Sequence, residues 1–235
     1  MVIQSTQSGR AGRTAGGRVA QAQGRGTPAR PRAHERQAQR PRQRTGDKHE
    51  RILRAATKVF ATRGFFGAQV ADVARAADVA AGTVYLYFKS KDDLLIAIFE
   101  RTMSEAIAEG RAALAGINEP IDRLREIARL HLERLGRDRH LAVVFQVELR
   151  QSTKFMERFS ATQLREYLGI IRDTIADGQA AGVIRPSINP TIAAKMLFGA
   201  LDEMATNWIL SKRRYSLEAE ADEVVDFFLN GACTR

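Results

Sequence analysis

Cysteine is almost missing from this chain: Cys233 is its only one. A single thiol makes neither an intrachain disulfide nor a multi-cysteine metal site, and we read it as an incidental tail residue. Long hydrophobic runs are lacking too. No stretch approaches the ~18 consecutive apolar residues that span a bilayer, and no apolar segment of secretory length opens the chain, so a cytoplasmic protein with no membrane partner is expected. Histidine is scarce and scattered, at His34, His49, His131 and His140. No H-x-x-x-H pair, nucleophile motif or Gly-rich phosphate loop accompanies them, so we expect no enzyme, no metal and no cofactor.

Acidic residues are nearly absent from one region only. Residues 1–46 carry ten arginines against a single acid, Glu35, a net charge of +9 that leaves +1 of the total +10 for the rest of the chain. The overall basicity therefore belongs to this segment. It has no aromatic residue and few large aliphatics, and is rich in Gly, Arg, Gln, Ala and Pro. Such a composition buries too little apolar surface to offset ordering entropy, so residues 1–45 are expected to be a disordered tail. An Arg-rich arm of this kind can add salt-dependent phosphate contacts.

Strand-like alternation is lacking throughout; from Asp47 onward the apolar spacing is helical. Asp47 can cap a helix carrying Ile52, Leu53, Ala56, Val59 and Phe60, and Gly64 can end it. Two short helices follow, at about 70–77 and 80–87. Ser90 and Asp93 form an S-x-x-D capping box for a long helix burying Leu94, Leu95, Ile98, Phe99 and Met103. Further helices start at Pro120, near 138, at Thr153, at Pro190 and after Ser216. The expected fold is all-α with about nine helices. Its expected domains are a compact three-helix domain at 46–106 and a helical bundle at 107–231.

The segment 69–88, QVADVARAADVAAGTVYLYF, has the form of a helix-turn-helix. Val73, Ala74, Ala77, Val79, Val84 and Phe88 are its inward positions, with Ala74 and Ala77 small where the helices cross. Asp78 sits where the turn needs a left-handed backbone, which Asp tolerates better than most residues. Ala81, Gly82, Thr83, Tyr85 and Tyr87 form the outward face, followed by Lys89 and Lys91. Hydroxyls and backbone N–H groups at a helix start, with lysines beyond, grip phosphates. Residues 47–91 carry eight Lys/Arg against four Asp/Glu, the basic part of the folded chain.

Residues 47–100, above all GTVYLYFKSKDDL at 82–94, resemble the DNA-binding domain of TetR-family repressors. The resemblance implies operator contacts at Gly82, Thr83, Tyr85, Tyr87 and Lys91, with Thr83 and Tyr85 towards base edges and sugar-phosphate and Tyr87 and Lys91 on phosphates. Lys48 and Arg51 are implied on flanking phosphates. Three positions depart from the common family pattern: Gln69 and Ala80 replace helix-capping residues, and Asp78 replaces the usual turn glycine. A lost side-chain cap costs about 1 kcal/mol.

Further along, LAVVFQVELRQS (141–152), FGALDE (198–203) and NWIL (207–210) resemble the acyl-CoA-responsive, FadR-type subgroup that represses fatty-acid degradation genes. That likeness implies a long-chain acyl-CoA effector in the bundle. Val144, Phe145, Glu148, Phe159, Ile171, Phe198, Asp202 and Trp208 are candidate pocket residues. Each apolar one also fits ordinary bundle core, and Glu148, Gln151, Asp202 and Glu203 fit either the thioester or pairing with Arg150. Arg101, Arg137, Arg139, Arg150, Arg158 and Arg165 are candidates for the CoA phosphates. The last two helices are apolar on more than one face, which calls for a second partner. The family implies a homodimer reading a double-stranded, inverted-repeat operator. The alternative is a TetR-family repressor answering another hydrophobic ligand and regulating efflux or other catabolism.

Overall fold

The computed structural model describes residues 33–151, 155, 157 and 162–232, with side chains from Asp47 to Gly231. Nine α-helices and no β-strand occur among them, as the apolar spacing requires. They are α1 (Ala33–Arg63), α2 (Val70–Ala76), α3 (Ala81–Tyr85), α4 (Lys91–Leu114), α5 (Pro120–Arg137), α6 (Arg139–Val143), α7 (Gln163–Ala180), α8 (Pro190–Leu210) and α9 (Ala221–Ala232). No helix among the described residues is long and apolar enough to cross a membrane.

One expectation is corrected at the start of α1. The helix begins at Ala33, so residues 33–45 are helical rather than disordered, and Asp47 lies inside the helix rather than at its cap. Alanine, glutamine and arginine carry high helix propensity and extend the pattern upstream. The compact unit that holds the remaining helices starts at Arg42, directly after Pro41. Residues 1–32, and Cys233, lie outside the described residues.

Two apolar cores organise this unit. The first joins Ile52, Leu53, Val59 and Phe60 of α1 to Val73 of α2, Val84 of α3 and Leu94, Leu95 and Ile98 of α4. Val144, Leu149 and Phe155, from the segment after α6, belong to this same core. The second joins Leu124 and Leu132 of α5, Ile171 and Ile175 of α7, Leu197 and Leu201 of α8 and Val225 of α9. Truncating any one of these large buried side chains to alanine costs about 2–5 kcal/mol.

Helix α4 starts at a satisfied cap: Ser90 accepts from Asp93 N at 3.1 Å, and the Asp93 carboxylate accepts from Lys89 N at 3.1 Å. With 24 residues it extends ~36 Å. Its first half packs in the first core, and Ile107 is buried further along. Between α6 and a 3-10 turn at Leu149–Gln151, residues Val144–Glu148 form a π-helical turn. Such turns insert one extra residue and concentrate at functional sites.

Candidate DNA-binding face and ligand cavity

Helix α2 is held at both ends by groups that the sequence places without a conventional cap. Asp72 accepts from Gln69 N at 3.1 Å and pairs with Arg63 at 2.8 Å and Arg75 at 3.1 Å. The Gln69 N–H, foremost, holds the Asp72 carboxyl below the usual carboxylate range, with both arginines adding to it. Asp78 has φ 53°, the single positive-φ non-glycine residue among those described, as its turn position requires. Arg51 reaches from α1 and donates Nη2–H to Ala77 O at 2.6 Å and Asp78 O at 3.3 Å. The arginine expected on a phosphate thus caps the turn. Ala80 leads into α3 with no side-chain bond.

The outward side of α3 gathers several expected contacts. Ala81 and Gly82 are exposed and Thr83 half-buried. Tyr85 is 56% exposed, whereas Tyr87 is half-buried and meets the His49 ring edge-on at 5.9 Å. His49 therefore brings the middle of α1, including exposed Lys48, beside the end of the recognition element. A Cβ added at Gly82 would meet nothing within 4 Å. The protein itself has no need of glycine there, although glycine weakens a helix by up to about 1 kcal/mol relative to alanine.

Lys91 turns towards the α1–α2 loop. Its ammonium donates to Phe65 O at 2.6 Å, Ala68 O at 3.0 Å and Phe66 O at 3.3 Å, and sits 4.5 Å from the centre of the Phe65 ring. An ammonium has three donors, and here they hold the α1–α2 loop. Lys89 is the exposed lysine of the pair. Leu86, 82% exposed between the two tyrosines, went unnoticed in the sequence. The Y-L-Y run signals it, because neighbouring helical positions cannot all point inward.

A slot lies between α4, α5, α7, α8 and the turn after α6. It is lined by apolar Met103, Ala106, Ile127, Phe145, Ile170 and Phe198, among others, with His131, Gln146, Tyr167 and Asp202 as polar members. Space between atoms amounts to about 840 Å³ including the opening, yet water-sized molecules can centre themselves in only about 70 Å³ of it. The slot is narrow, and a guest must part its walls. His131 Nδ1 and the Tyr167 hydroxyl are 3.0 Å apart. Removal from bulk water pushes the His131 pKa down to about 4, against a smaller opposing pull from Asp202, so the ring is neutral at pH 7. The same loss of water raises the Tyr167 hydroxyl.

Of the eight candidate pocket residues, Phe145, Phe198 and Asp202 line the slot. Asp202 also accepts from Gln146 Nε2 at 2.7 Å and pairs with Arg150. Four candidates lie off the slot as it stands. Ile171 is fully buried in the second core and Val144 in the first. Trp208 donates Nε1–H to Tyr215 O at 3.0 Å and stacks with Arg139 at 5.0 Å, away from the slot. Glu148 turns the other way, its Oε2 accepting from Phe65 N at 2.6 Å. Phe159 lies outside the described residues, as do Met156 and Arg158. The wall from α4 was missed. Its signal is Thr102, Ala106 and Gly110, three small residues at i, i+4 and i+8 that leave room along one face.

Residues 52–98 match the family described as bacterial regulatory proteins, tetR family, and residues 99–231 match the YsiA-like protein, C-terminal region. The chain belongs to the TetR family. The fatty acid metabolism regulator protein of Bacillus subtilis (strain 168) is 33% identical over 184 residues, covering 78% of this chain and 95% of its own. Among solved TetR-family structures, the fatty acid degradation regulator FadR of Bacillus halodurans superposes with a TM-score of 0.75 at 34% identity, covering 78% of this chain and 95% of its own. FadR of Bacillus subtilis in complex with stearoyl-CoA gives 0.74 at 32% identity, covering 78% and 98%. These relatives are transcription regulators, not enzymes. The two matched regions meet inside α4, ahead of the boundary expected at 106, because that helix serves both cores.

Proposed function

We propose that the protein is a homodimeric repressor that binds an inverted-repeat operator in double-stranded DNA and is released by long-chain acyl-CoA, controlling fatty-acid degradation genes in the cytoplasm. The observation that carries this reading is the narrow apolar slot whose wall is α4, the helix that begins beside the recognition element. A linear acyl chain suits such a slot better than a compact or cationic guest does. The B. subtilis FadR relative, solved with stearoyl-CoA, supports the choice of ligand.

In this reading Gly82, Thr83 and Tyr85 meet the major groove, and Lys48, Lys89 and the Tyr87 hydroxyl hold phosphates. The missing Cβ at Gly82 lets the DNA backbone approach closely. Arg150 and Arg134 border the slot and pair there with Asp202 and with Glu105 and Glu109. These arginines can exchange their carboxylate partners for CoA phosphates. Ile192, Met196 and Phe227 are exposed on α8 and α9 and flank an apolar groove, which supports a two-fold interface there.

Parting the slot displaces α4 and resets the spacing of the paired recognition helices. Moving the population from 1:99 to 99:1 takes a preference of about 5.5 kcal/mol for the released state. Titration of the dimer against its own upstream duplex tests the proposal. Stearoyl-CoA is expected to weaken binding at least about tenfold while free CoA does nothing. Sequence-independent binding, or release by an unrelated lipophile alone, would contradict it.

A further inference from the structure

The π-helical turn Val144–Glu148 has two working faces. Phe145 and Gln146 line the slot, and Gln146 is fixed there by Asp202 at 2.7 Å and by the Thr206 hydroxyl, which donates to its Oε1 at 3.1 Å. Val144 and Glu148 face the other way, into the core of the DNA-binding domain. Glu148 is only 5% exposed, and a carboxylate so buried is tolerated only where hydrogen bonds hold it. Its Oε2 accepts from Phe65 N at 2.6 Å and from Gln151 Nε2 at 3.2 Å.

Phe65 is thereby gripped from both sides. Its N–H goes to Glu148, and its carbonyl takes the Lys91 ammonium at 2.6 Å from the first turn of α4. Its ring packs edge-on against Phe60 at 5.3 Å and Phe155 at 5.2 Å. The loop so held is short: Gly64 opens it with φ 73°, Ala68 N bonds back to Gly64 O at 3.1 Å, and Gln69 begins α2. Whatever moves Phe65 moves the entry to the helix-turn-helix.

We propose that Glu148 is a positioning residue that carries the state of the slot to the DNA-binding face, holding the Phe65 amide while the slot is closed and releasing it when a guest parts Phe145 and Gln146. This rests on the acyl-CoA reading for the identity of the guest. A π-turn suits the task, since its extra residue can be absorbed elsewhere along the helix and the segment then has two discrete arrangements. A bond between a buried carboxylate and an N–H is strong enough to bias the choice between them.

The test compares wild type, Glu148→Ala and Glu148→Gln for operator affinity with and without stearoyl-CoA, alongside hydrogen exchange of the peptide covering 64–68. Glu148→Ala is expected to bind operator about tenfold more weakly without effector, and its further response to stearoyl-CoA should shrink to less than about threefold. Glu148→Gln retains an acceptor for the Phe65 N–H and should restore most of both, and it also serves if the alanine variant does not fold. In the wild type, stearoyl-CoA should speed exchange at 64–68. Operator affinity and response within about twofold of wild type in the Ala variant would overturn the proposal, as would, where that variant does not fold, unchanged exchange at 64–68 when stearoyl-CoA is added to the wild type. If the wild type itself ignores stearoyl-CoA, the effector assignment fails. The effector-free affinity of the variants then still decides whether Glu148 supports the DNA-binding face.

Discussion

Arg51 on α1 donates Nη2–H to the carbonyl oxygen of Ala77, 2.6 Å away, and so closes the C-terminal end of α2 from a neighbouring helix. The last carbonyls of a helix have no partner within it, and here the turn residue Asp78 bends away in a left-handed conformation. Arg51 thus adds a side-chain tie to the turn that Asp78 N→Arg75 O and Val79 N→Ala74 O already close.

Replacing Arg51 by alanine is therefore expected to cost about 1–2 kcal/mol of stability and to weaken operator binding as well. Urea unfolding and fluorescence anisotropy on the same preparation check it. Lysine should rescue poorly, because it lacks the planar fork of an arginine.

Gly82→Ala should separate folding from DNA binding. With open space around the new Cβ and no positive φ at this position, the helix gains up to about 1 kcal/mol. Operator affinity should nevertheless fall, by about 1–3 kcal/mol, through a clash with the duplex. A variant that is more stable and binds DNA as well as before would show that the face does not approach DNA so closely.

The helix-turn-helix was legible in the sequence because its determinants are local. Val73, Ala74 and Val84 point inward by spacing, and Asp78 marks the turn by its backbone tolerance. Lys91 was not legible, since its partners are backbone carbonyls that any sequence would supply. Nor does periodicity separate Ile171 from Phe198. Both lie on inward faces, but one meets the core and the other a void. Glu148 shows the same limit, being a buried acid whose partner is an N–H eighty-three positions away. The upstream limit of α1 was missed for another reason, because an Arg-, Gln- and Ala-rich segment reads as a solvated tail and as helix alike.

Filling the slot should uncouple the two sites. Gly110 lines it, and a Cβ there meets no atom within 4 Å, so Gly110→Leu introduces a large side chain without a clash at Cβ. Operator binding without effector should survive, and stearoyl-CoA affinity measured by calorimetry should fall at least about tenfold.

His131 gives the protein an acid limit. Its pKa lies near 4 in the fold against 6.5 in the unfolded chain, so between those values the unfolded chain takes up a proton that the folded one refuses. Stability therefore rises with pH across that window and is free of this penalty above it, the full effect being up to about 3 kcal/mol. His131→Gln should flatten the dependence of urea midpoints between pH 4 and 6.5 relative to wild type.

Native mass spectrometry of the protein mixed with its upstream duplex and stearoyl-CoA tests the central claim, that slot and DNA face exclude each other, most directly. The account predicts a dimer carrying either duplex or thioester, with the doubly loaded species rare. A dominant complex holding both at once, or a monomer that binds neither, would contradict it.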